Sequence, residues 1–255
     1  MNEAIDRIVA TFFNIPVMIE VFPDLMTVGL PNTLLLSLAA ILVAIVIGLI
    51  TTLLLLSNRV WVRLPARIYV DVFRGVPGLL TIFIVGVGLP IAGLDVFGRN
   101  SYAYAALAMG LIQGAYIAEI FRGGIQSLDK GQMEAARSLG LPYFSAMAYV
   151  IVPQGVRRVL PPLTGQFILT IKESALIYIL GLLPMQQEMF AIAQAASSKY
   201  VSMSPIVLAG ALYLLITIPL TYAVNALDRR LRDGSRVITE GTLPAEITMD
   251  GERIS

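Results

Sequence analysis

Three polar side chains interrupt strongly apolar stretches of the sequence. Lys172 and Glu173 are neighbours, and Gln113 lies in the segment LIQGAY. Neighbouring residues of a helix point about 100° apart, so Lys172 and Glu173 do not simply neutralise each other. A cavity that offers both a cation and an anion suits a zwitterion, with Lys172 towards a carboxylate and Glu173 towards an ammonium group. Gln113 either lines the same cavity or holds two helices together.

Two further pairs of charges are spaced for pairing along a helix. Asp71 and Arg74 are three residues apart, and so are Glu119 and Arg122. Each pair either forms a local ion pair near the membrane surface or takes part in substrate binding. In the second case Arg74 contacts a carboxylate, Asp71 contacts an ammonium group, and Glu119 lines the same site.

Two of the side chains that enzymes use most often are absent. The sequence has no cysteine and no histidine, which removes disulfides, thiol nucleophiles, imidazole bases and the usual zinc ligands. We therefore expect no catalytic residue and no metal site. A phosphate-binding GxxxxGK[ST] loop is also absent from the sequence, so we expect any ATP and magnesium to be bound by another polypeptide. The net charge of +1 gives no attraction to nucleic acid.

The elements that carry these side chains are predicted to be membrane helices. The chain of 255 residues is 57% hydrophobic and 14% charged, and its mean hydropathy is +0.79, so it is far more apolar than a soluble domain. A span needs about 20 apolar residues, and residues 26–56, 68–90, 101–121, 163–184 and 205–227 supply five. The predicted fold is an all-α polytopic membrane protein in a lipid bilayer.

Depth distinguishes Lys172 and Glu173 from the other charges. They lie about ten residues, or about 15 Å, from the inner end of the fourth predicted span. An ionisable side chain at mid-bilayer costs roughly 2.5 to 3.5 kcal/mol. Both residues are therefore expected to face a polar cavity or a partner helix.

Basic residues concentrate on one side of the predicted spans. The opposite side has little beyond Arg7, Arg99 and Lys199. The positive-inside rule therefore places the loop after the third span and the C-terminus in the cytoplasm, and the N-terminus outside. The residues on the cytoplasmic side are Arg59, Arg63, Arg67, Arg122, Lys130, Arg137, Arg157, Arg158, Arg229, Arg230, Arg232 and Arg236.

The segments outside the spans are predicted to be interfacial or irregular. Residues 1–24 mix acids with aromatic residues and are broken by Pro16 and Pro23, which favours the outer membrane interface over a crossing. Residues 185–203 are expected to lie there too. Residues 233–255 turn polar and lose periodicity, which predicts a mobile cytoplasmic tail. The first apolar run follows acidic residues, so we expect no signal peptide.

The second predicted span is rich in helix-breaking and small residues. They are Gly75, Pro77, Gly78, Gly86 and Gly88. Such residues either allow close packing of helices or form a hinge for alternating access.

A polar segment, GQMEAARSLG at residues 131–140, is predicted to form a short helix on the membrane surface. Asp129 can cap its N-terminus, and Gln132 can complete a capping box. Gly140 can take the left-handed position that ends the helix, and Pro142 prevents continuation.

The face of this helix is suited to contact another protein. Glu134, Ala135 and Ala136 lie at its centre, where the small side chains let a second surface approach closely. Glu134, Arg137 and Ser138 are spaced to share one face.

Several stretches resemble one family of membrane proteins. Residues 115–163 are similar to the EAA loop of importer permeases in the ATP-binding cassette superfamily, and more narrowly to the polar amino acid branch of histidine, glutamine, glutamate or arginine type. The loop itself is placed at about 122–160, and the resemblance extends over most of residues 25–232. The other matching stretches are YVDVFRGVPGLL (69–80), AYIAEIFR (115–122), IKESALIYILGL (171–182) and LDRRL (227–231).

The resemblance implies a function and a set of partners. A permease of this branch moves a polar amino acid across the plasma membrane after an extracytoplasmic solute-binding protein delivers it. It pairs with a second permease subunit, identical or related, and with a dimer of ATP-binding subunits that carry ATP and magnesium, so no cofactor binds this chain itself. The ATPase is contacted through the EAA helix, here Gln132, Glu134, Ala135, Ala136, Arg137 and Gly140.

One departure from the family pattern affects the proposed substrate site. The family's usual sequence resembles KDTSL, whereas this chain has KESAL at residues 172–176. Lys172 is retained, the acid at Glu173 is one methylene longer, and Ser174 replaces threonine. The resemblance therefore implies roles in substrate binding for Lys172 and Glu173, with altered contacts.

Two other classes of function remain as alternatives. In an ion- or proton-coupled secondary amino acid carrier, Lys172 and Glu173 serve coupling, and no ATPase co-purifies with the chain. A membrane enzyme acting through glutamate and lysine is poorly supported because the acids do not cluster in one segment.

Overall fold

The computed structural model describes residues 2–98 and 100–240. The predictions for Arg99 and for residues 241–255 lie outside this part, as do those for the side chains of Lys130, Arg230, Arg232 and Arg236. The α-helices of the described part are α1 (Asn2–Phe12), α2 (Ile15–Asp24), α3 (Leu30–Leu55), α4 (Val60–Gly75), α5 (Gly78–Phe83), α6 (Leu89–Ile91), α7 (Ser101–Gln126), α8 (Lys130–Ser138), α9 (Tyr143–Ala146), α10 (Val152–Glu173), α11 (Met189–Tyr200) and α12 (Ser204–Glu240).

Short tighter or wider turns join several of these helices. π-helical turns lie at Leu25–Gly29, Ile84–Gly88 and Met147–Ile151, and 3₁₀ helices lie at Ser174–Leu180 and Pro184–Gln186. The described residues contain no β-strand, which confirms the all-α prediction.

The helical runs are long enough for four or five membrane crossings. Residues 3–55, 101–126, 143–180 and 204–226 each form a run that is apolar enough to span. The fifth candidate is the pair α4 and α5–α6, whose axes differ by 109°. With this bent pair counted as one span, the prediction of about five spans is confirmed.

The second predicted span, residues 68–90, is broken after its first two turns. The chain is extended at Val76 (φ −84°, ψ 136°) and at Pro77 (φ −54°, ψ 131°). Proline has no backbone N–H to donate and disfavours helical geometry at the residue before it. The helix therefore ends at Gly75 and a new one begins at Gly78.

The N-terminal segment is more regular than the sequence indicates. Pro16 lies in the first turn of α2, where a missing N–H costs nothing, and Asn14 caps that helix by accepting from Val17 N. Pro23 is followed by a π-helical turn and not by a break. Residues 3–55 consequently form one nearly continuous helical run.

The C-terminal helix also continues further than expected. The sequence predicts loss of regular structure from residue 233, but α12 extends to Glu240. Adding one residue to an existing helix is much easier than starting a new one, so a span can propagate into a polar segment.

Helices α3 and α7 form the tightly packed centre of the fold. A Cβ atom placed on Gly48 would lie 2.7 Å from Ile117 Cγ2, and one on Gly110 would lie 2.5 Å from Val43 Cγ1. Thr52 Oγ1 donates to Ala118 O at 2.9 Å across the same contact. Small residues of this kind let membrane helices approach closely and gain van der Waals contact.

Candidate functional site

A chain of hydrogen bonds links α7 and α10 inside the helical bundle. Gln113 Nε2 donates to Glu173 Oε2 at 2.5 Å, and Gln166 Nε2 donates to Gln113 Oε1. Gln113 is 1% exposed and Gln166 is 8% exposed. We call Gln113, Gln166 and Glu173 the glutamine relay. Its two amides are oriented by each other, so a donor faces the carboxylate.

The relay brings together two of the predicted site residues and leaves out a third. Gln113 and Glu173 are in contact, but Lys172 is exposed on α10. No ion pair joins Lys172 to Glu173 among the described residues, which agrees with the divergence expected for helix neighbours. Glu173 is half-buried, so its carboxylate is accessible from one side.

Sequence reasoning missed Gln166. It lies seven residues before Glu173 on α10, and a spacing of seven places two residues on the same helical face. That spacing was the available signal. A buried amide is expected to be hydrogen-bonded, and the partner of Gln166 is Gln113 on α7.

Glu173 stands where the helix changes geometry. The α-helix ends at this residue and a 3₁₀ helix continues from Ser174 to Leu180. Ser174 is fully buried and its Oγ donates to Ile171 O at 2.8 Å. Gly181 then reverses the chain with a φ of +62°. Mid-helix changes of this kind often mark hinges, and here one adjoins the carboxylate of the relay.

The break in the second span faces the same region. A Cβ atom placed on Gly78 would lie 3.7 Å from Ile112 Cδ1 and 3.8 Å from Leu176 Cδ1. The start of α5 is therefore packed against the helix that carries Gln113 and against the 3₁₀ segment after Glu173.

The other three predicted site residues line a separate cavity of about 460 Å³ at the ends of α3 and α7, which we call the inner cavity. Asp71, Arg74 and Glu119 all contribute to it. Gln113 and Glu119 are six residues apart on α7, or about 9 Å along the axis. The predicted residues thus form two groups. The residues that line the inner cavity are Leu55, Arg63, Arg67, Val70, Asp71, Arg74, Glu119, Arg122 and Gln126.

One of the two predicted charge pairs is present. Arg122 donates to Glu119 Oε2 from Nη2 at 2.5 Å and from Nε at 3.0 Å. The pair between Asp71 and Arg74 is not among the ion pairs of the described residues. Arg74 Cζ instead lies 5.3 Å from the centroid of the Tyr116 ring. The local ion pair, one of the two alternatives for Asp71 and Arg74, is therefore absent from the described residues, and an aromatic face on α7 competes for the guanidinium.

The polar surface helix is present as α8, with the ends that the sequence predicts. Asp129 Oδ1 accepts from Gly131 N at 2.9 Å, and Gly140 has a φ of +86°. Gly140 N bonds to Arg137 O and Leu141 N bonds to Ala136 O. These two bonds form a Schellman motif, in which a left-handed residue satisfies the last carbonyl groups.

Two details of α8 differ from the prediction. Gln132 does not complete a capping box, because its Oε1 accepts from Gln154 Nε2 at 3.2 Å and so ties α8 to α10. Ala136 is 5% exposed and faces the protein, whereas Glu134, Ala135 and Arg137 are exposed.

Exposed apolar residues next to α8 were also missed. Leu139 is 85% exposed and Phe144 is 83% exposed. Apolar side chains at this exposure are suited to contact with another protein or with the membrane.

A fully buried carboxylate lies between the fourth and fifth spans. Glu188 caps α11 by accepting from Phe190 N at 2.5 Å and Ala191 N at 2.6 Å, and Tyr213 donates to it at 3.0 Å. Burial raises the pKa of Glu188 to about 7, although these three donors act to lower it. Sequence reasoning did not single out Glu188, because a glutamate in a polar loop is normally solvated.

Comparison with known proteins identifies the family. Residues 44–233 match the family described as "Binding-protein-dependent transport system inner membrane component". The chain belongs to this family. It is therefore a permease, the membrane-spanning and non-catalytic subunit of an importer of the ATP-binding cassette superfamily, and the alternative of a secondary carrier is not favoured.

Individual relatives cover most of this permease. It is 36% identical over 203 residues to the "Probable glutamine ABC transporter permease protein GlnM" of Bacillus subtilis (strain 168), which covers 80% of this chain and 91% of the relative. It is 31% identical over 227 residues to the "Arginine transport system permease protein ArtQ" of the same organism. This alignment covers 88% of this chain and 96% of the relative.

Solved structures agree with the fold. The structure described as "Crystal structure of an amino acid ABC transporter with histidines" aligns with a TM-score of 0.73 and 31% identity over 84% of this permease and 96% of that chain. An inward-facing methionine ABC transporter, MetNI, aligns with a TM-score of 0.64 over 80% and 94%, and at 16% identity it supports the fold alone.

Proposed function

We propose that this permease imports a polar amino acid across the plasma membrane in an ATP-driven transporter. Relatives that cover most of the chain are described as glutamine and arginine permeases, and a structural neighbour of 31% identity is described as an amino acid transporter. Within this chain the glutamine relay carries the proposal, because it holds the Glu173 carboxylate between two membrane helices.

The proposed roles follow from charge. Glu173, oriented by Gln113, binds the ammonium group of the amino acid, because a carboxylate with one accepting oxygen engaged still has lone pairs available. Lys172 is exposed one residue away and binds the carboxylate. Contacts of Asp71, Arg74 and Glu119 with the substrate remain a prediction, and the carboxylate of Glu119 is already engaged by Arg122.

The proposed partners follow from the family and from α8. The permease pairs with a second permease subunit, identical or related, and an extracytoplasmic solute-binding protein delivers the amino acid. Each of the two permease subunits docks on one ATP-binding subunit, which holds ATP and magnesium, through the exposed residues of α8 and through Leu139. The N-terminus lies outside and the C-terminus lies in the cytoplasm, as the distribution of basic residues indicates.

The test is reconstitution of the permease with its ATPase in proteoliposomes. Uptake of labelled arginine, glutamine, glutamate and histidine is measured with the solute-binding protein on the outside and ATP at the ATPase side. We expect uptake of at least one of them to require ATP. Uptake that follows an ion gradient and persists without ATP would contradict the proposal.

Substitutions at the site separate binding from folding. Lys172→Met and Glu173→Gln are each expected to lower kcat/KM by about 10- to 100-fold, since a hydrogen bond to a charged group is worth about 1.5 to 3 kcal/mol. The matched control is Lys199→Met, which changes an exposed lysine on α11, and it should change kcat/KM little. Transport restored to the original level in the double variant Lys172→Met/Glu173→Gln would indicate a structural ion pair instead.

A further inference from the structure

Helix α4 carries a row of arginines that point into the inner cavity. Arg63, Arg67 and Arg74 all line this cavity. At about 100° per residue they fall within an arc of about 40° on the helix, so they form one face. Ala66 and Val70, on a neighbouring face, are the buried residues that attach α4 to the rest of the protein.

The cavity has an excess of positive charge. Four arginines line it against two carboxylates, Asp71 and Glu119, which leaves two positive charges. Glu119 is engaged by Arg122. Arg63 and Arg67 form no side-chain hydrogen bond or ion pair with other residues that the structure describes. Two unpaired guanidinium groups in one cavity favour binding of an anion, and their planar forks match phosphate in particular.

The inner cavity lies at the level of a membrane surface. It lies where α3 ends at Leu55 and where the last turns of α7 end at Gln126, which is the side of the bundle that carries α8. The phosphate groups of a bilayer lie at this level, just beyond the hydrocarbon ends of the spans.

The remaining face of α4 is suited to lipid. Trp61, Leu64, Ile68 and Val72 follow one another at helical spacing and are 86%, 45%, 54% and 47% exposed. A helix with arginines on one face and tryptophan and leucine on another is typical of a helix that lies in the headgroup region. The axis of α4 differs by 109° from that of the run from α5 to α6, which gives α4 a course distinct from the helix that follows.

We propose that the inner cavity binds the phosphate of an anionic phospholipid of the cytoplasmic leaflet, with Arg63 and Arg67 as its principal ligands. The acyl chains of the lipid lie along Trp61 and its apolar neighbours on α4. A pocket of basic residues between membrane helices on the cytoplasmic side is a favourable site for such a headgroup. This site is separate from the glutamine relay and does not depend on which amino acid is transported.

The test measures lipid binding to the intact permease purified with its ATPase. Phosphatidylglycerol and phosphatidylcholine with identical acyl chains are titrated, and the bound lipid is counted by native mass spectrometry. We expect tighter binding of phosphatidylglycerol, and the double variant Arg63→Gln/Arg67→Gln is expected to weaken it roughly 30-fold, from the contribution of each arginine near an anionic surface. The single variants Arg63→Gln and Arg67→Gln should each weaken phosphatidylglycerol binding roughly fivefold. They replace the double variant in the test if the double variant unfolds.

A matched control removes two charges elsewhere on the same side. Arg157→Gln/Arg229→Gln changes two exposed arginines outside the cavity and is expected to leave binding within about twofold. Equal losses in the two double variants, or unchanged binding in Arg63→Gln/Arg67→Gln, would overturn the proposal. Displacement of the lipid by millimolar inorganic phosphate or by arginine or glutamine would also overturn it, since the cavity would then be a site for a soluble ligand.

Discussion

Removing the central amide of the glutamine relay is expected to destabilise the permease by more than the loss of a single hydrogen bond. Gln113 both accepts from Gln166 and donates to Glu173. The change Gln113→Leu preserves the approximate volume and the apolar packing on α7. It leaves the Gln166 amide and the Glu173 carboxylate without their partner on α7.

The magnitude follows from burial. A buried polar group left without a partner costs about 1 to 3 kcal/mol. Gln166 is 8% exposed and Glu173 is half-buried, so the cost at Glu173 is partly offset by solvent. We expect Gln113→Leu to lower the free energy of unfolding by about 2 to 4 kcal/mol, and Gln166→Leu to lower it by about 1 to 3 kcal/mol.

The double variant provides the decisive comparison. In Gln113→Leu/Gln166→Leu neither amide remains unpaired, so the double change should cost about 1 to 3 kcal/mol less than the sum of the single changes. The measurement is unfolding of the purified permease in detergent, followed by circular dichroism, for the original protein and the three variants. Costs that add to within about 0.5 kcal/mol would show that the two amides are independent and would refute the relay.

Three other predictions concern the surface helix, the buried acid and the topology. Gly140→Val is expected to disturb the C-terminus of α8, because valine disfavours a φ of +86°, and so to lower both transport and stimulated ATPase activity. Glu134→Lys is expected to weaken docking of the ATPase by reversing a charge on α8. Normal transport and normal ATPase activity in both variants would remove the docking role of α8. Because the pKa of Glu188 is raised to about 7, the folded state keeps a proton that the unfolded state loses near pH 4.5, so stability should fall by roughly 3 kcal/mol as the pH rises from 4.5 to 7. A melting curve with the same pH dependence in Glu188→Gln would contradict this. Cysteines placed at Ser138 and Asn100 should be labelled from the cytoplasm and from outside, respectively, and labelling of Ser138 from outside would reverse the topology.

The sequence was sufficient for the fold class and for the surface helix because both depend on local patterns. Apolar runs of the required length predict spans, and the Asp129 and Gly140 caps depend only on neighbouring residues. The break at Pro77 was visible in the sequence, but its consequence was undecided, because glycine and proline also serve close packing. Only the backbone at Val76 shows that the helix ends there.

The candidate site could be predicted in part. Gln113 and Glu173 were identified because polar residues within apolar spans are costly, a property of each residue by itself. Gln166 and the contact of Arg74 with Tyr116 depend on which helices are neighbours. The relative placement of helices is set by packing across the whole bundle, and a single sequence without internal repeats contains little information about it.

The close packing of α3 and α7 has a mechanical consequence. Because Gly48 and Gly110 let side chains of the facing helix lie directly against their backbone, we expect this pair to resist sliding and to move together. The surface helix α8 follows α7 directly along the chain, and Gln132 fastens it to α10. We therefore expect a displacement of α8 to act on both α7 and α10, the two helices that the bond from Gln113 to Glu173 joins.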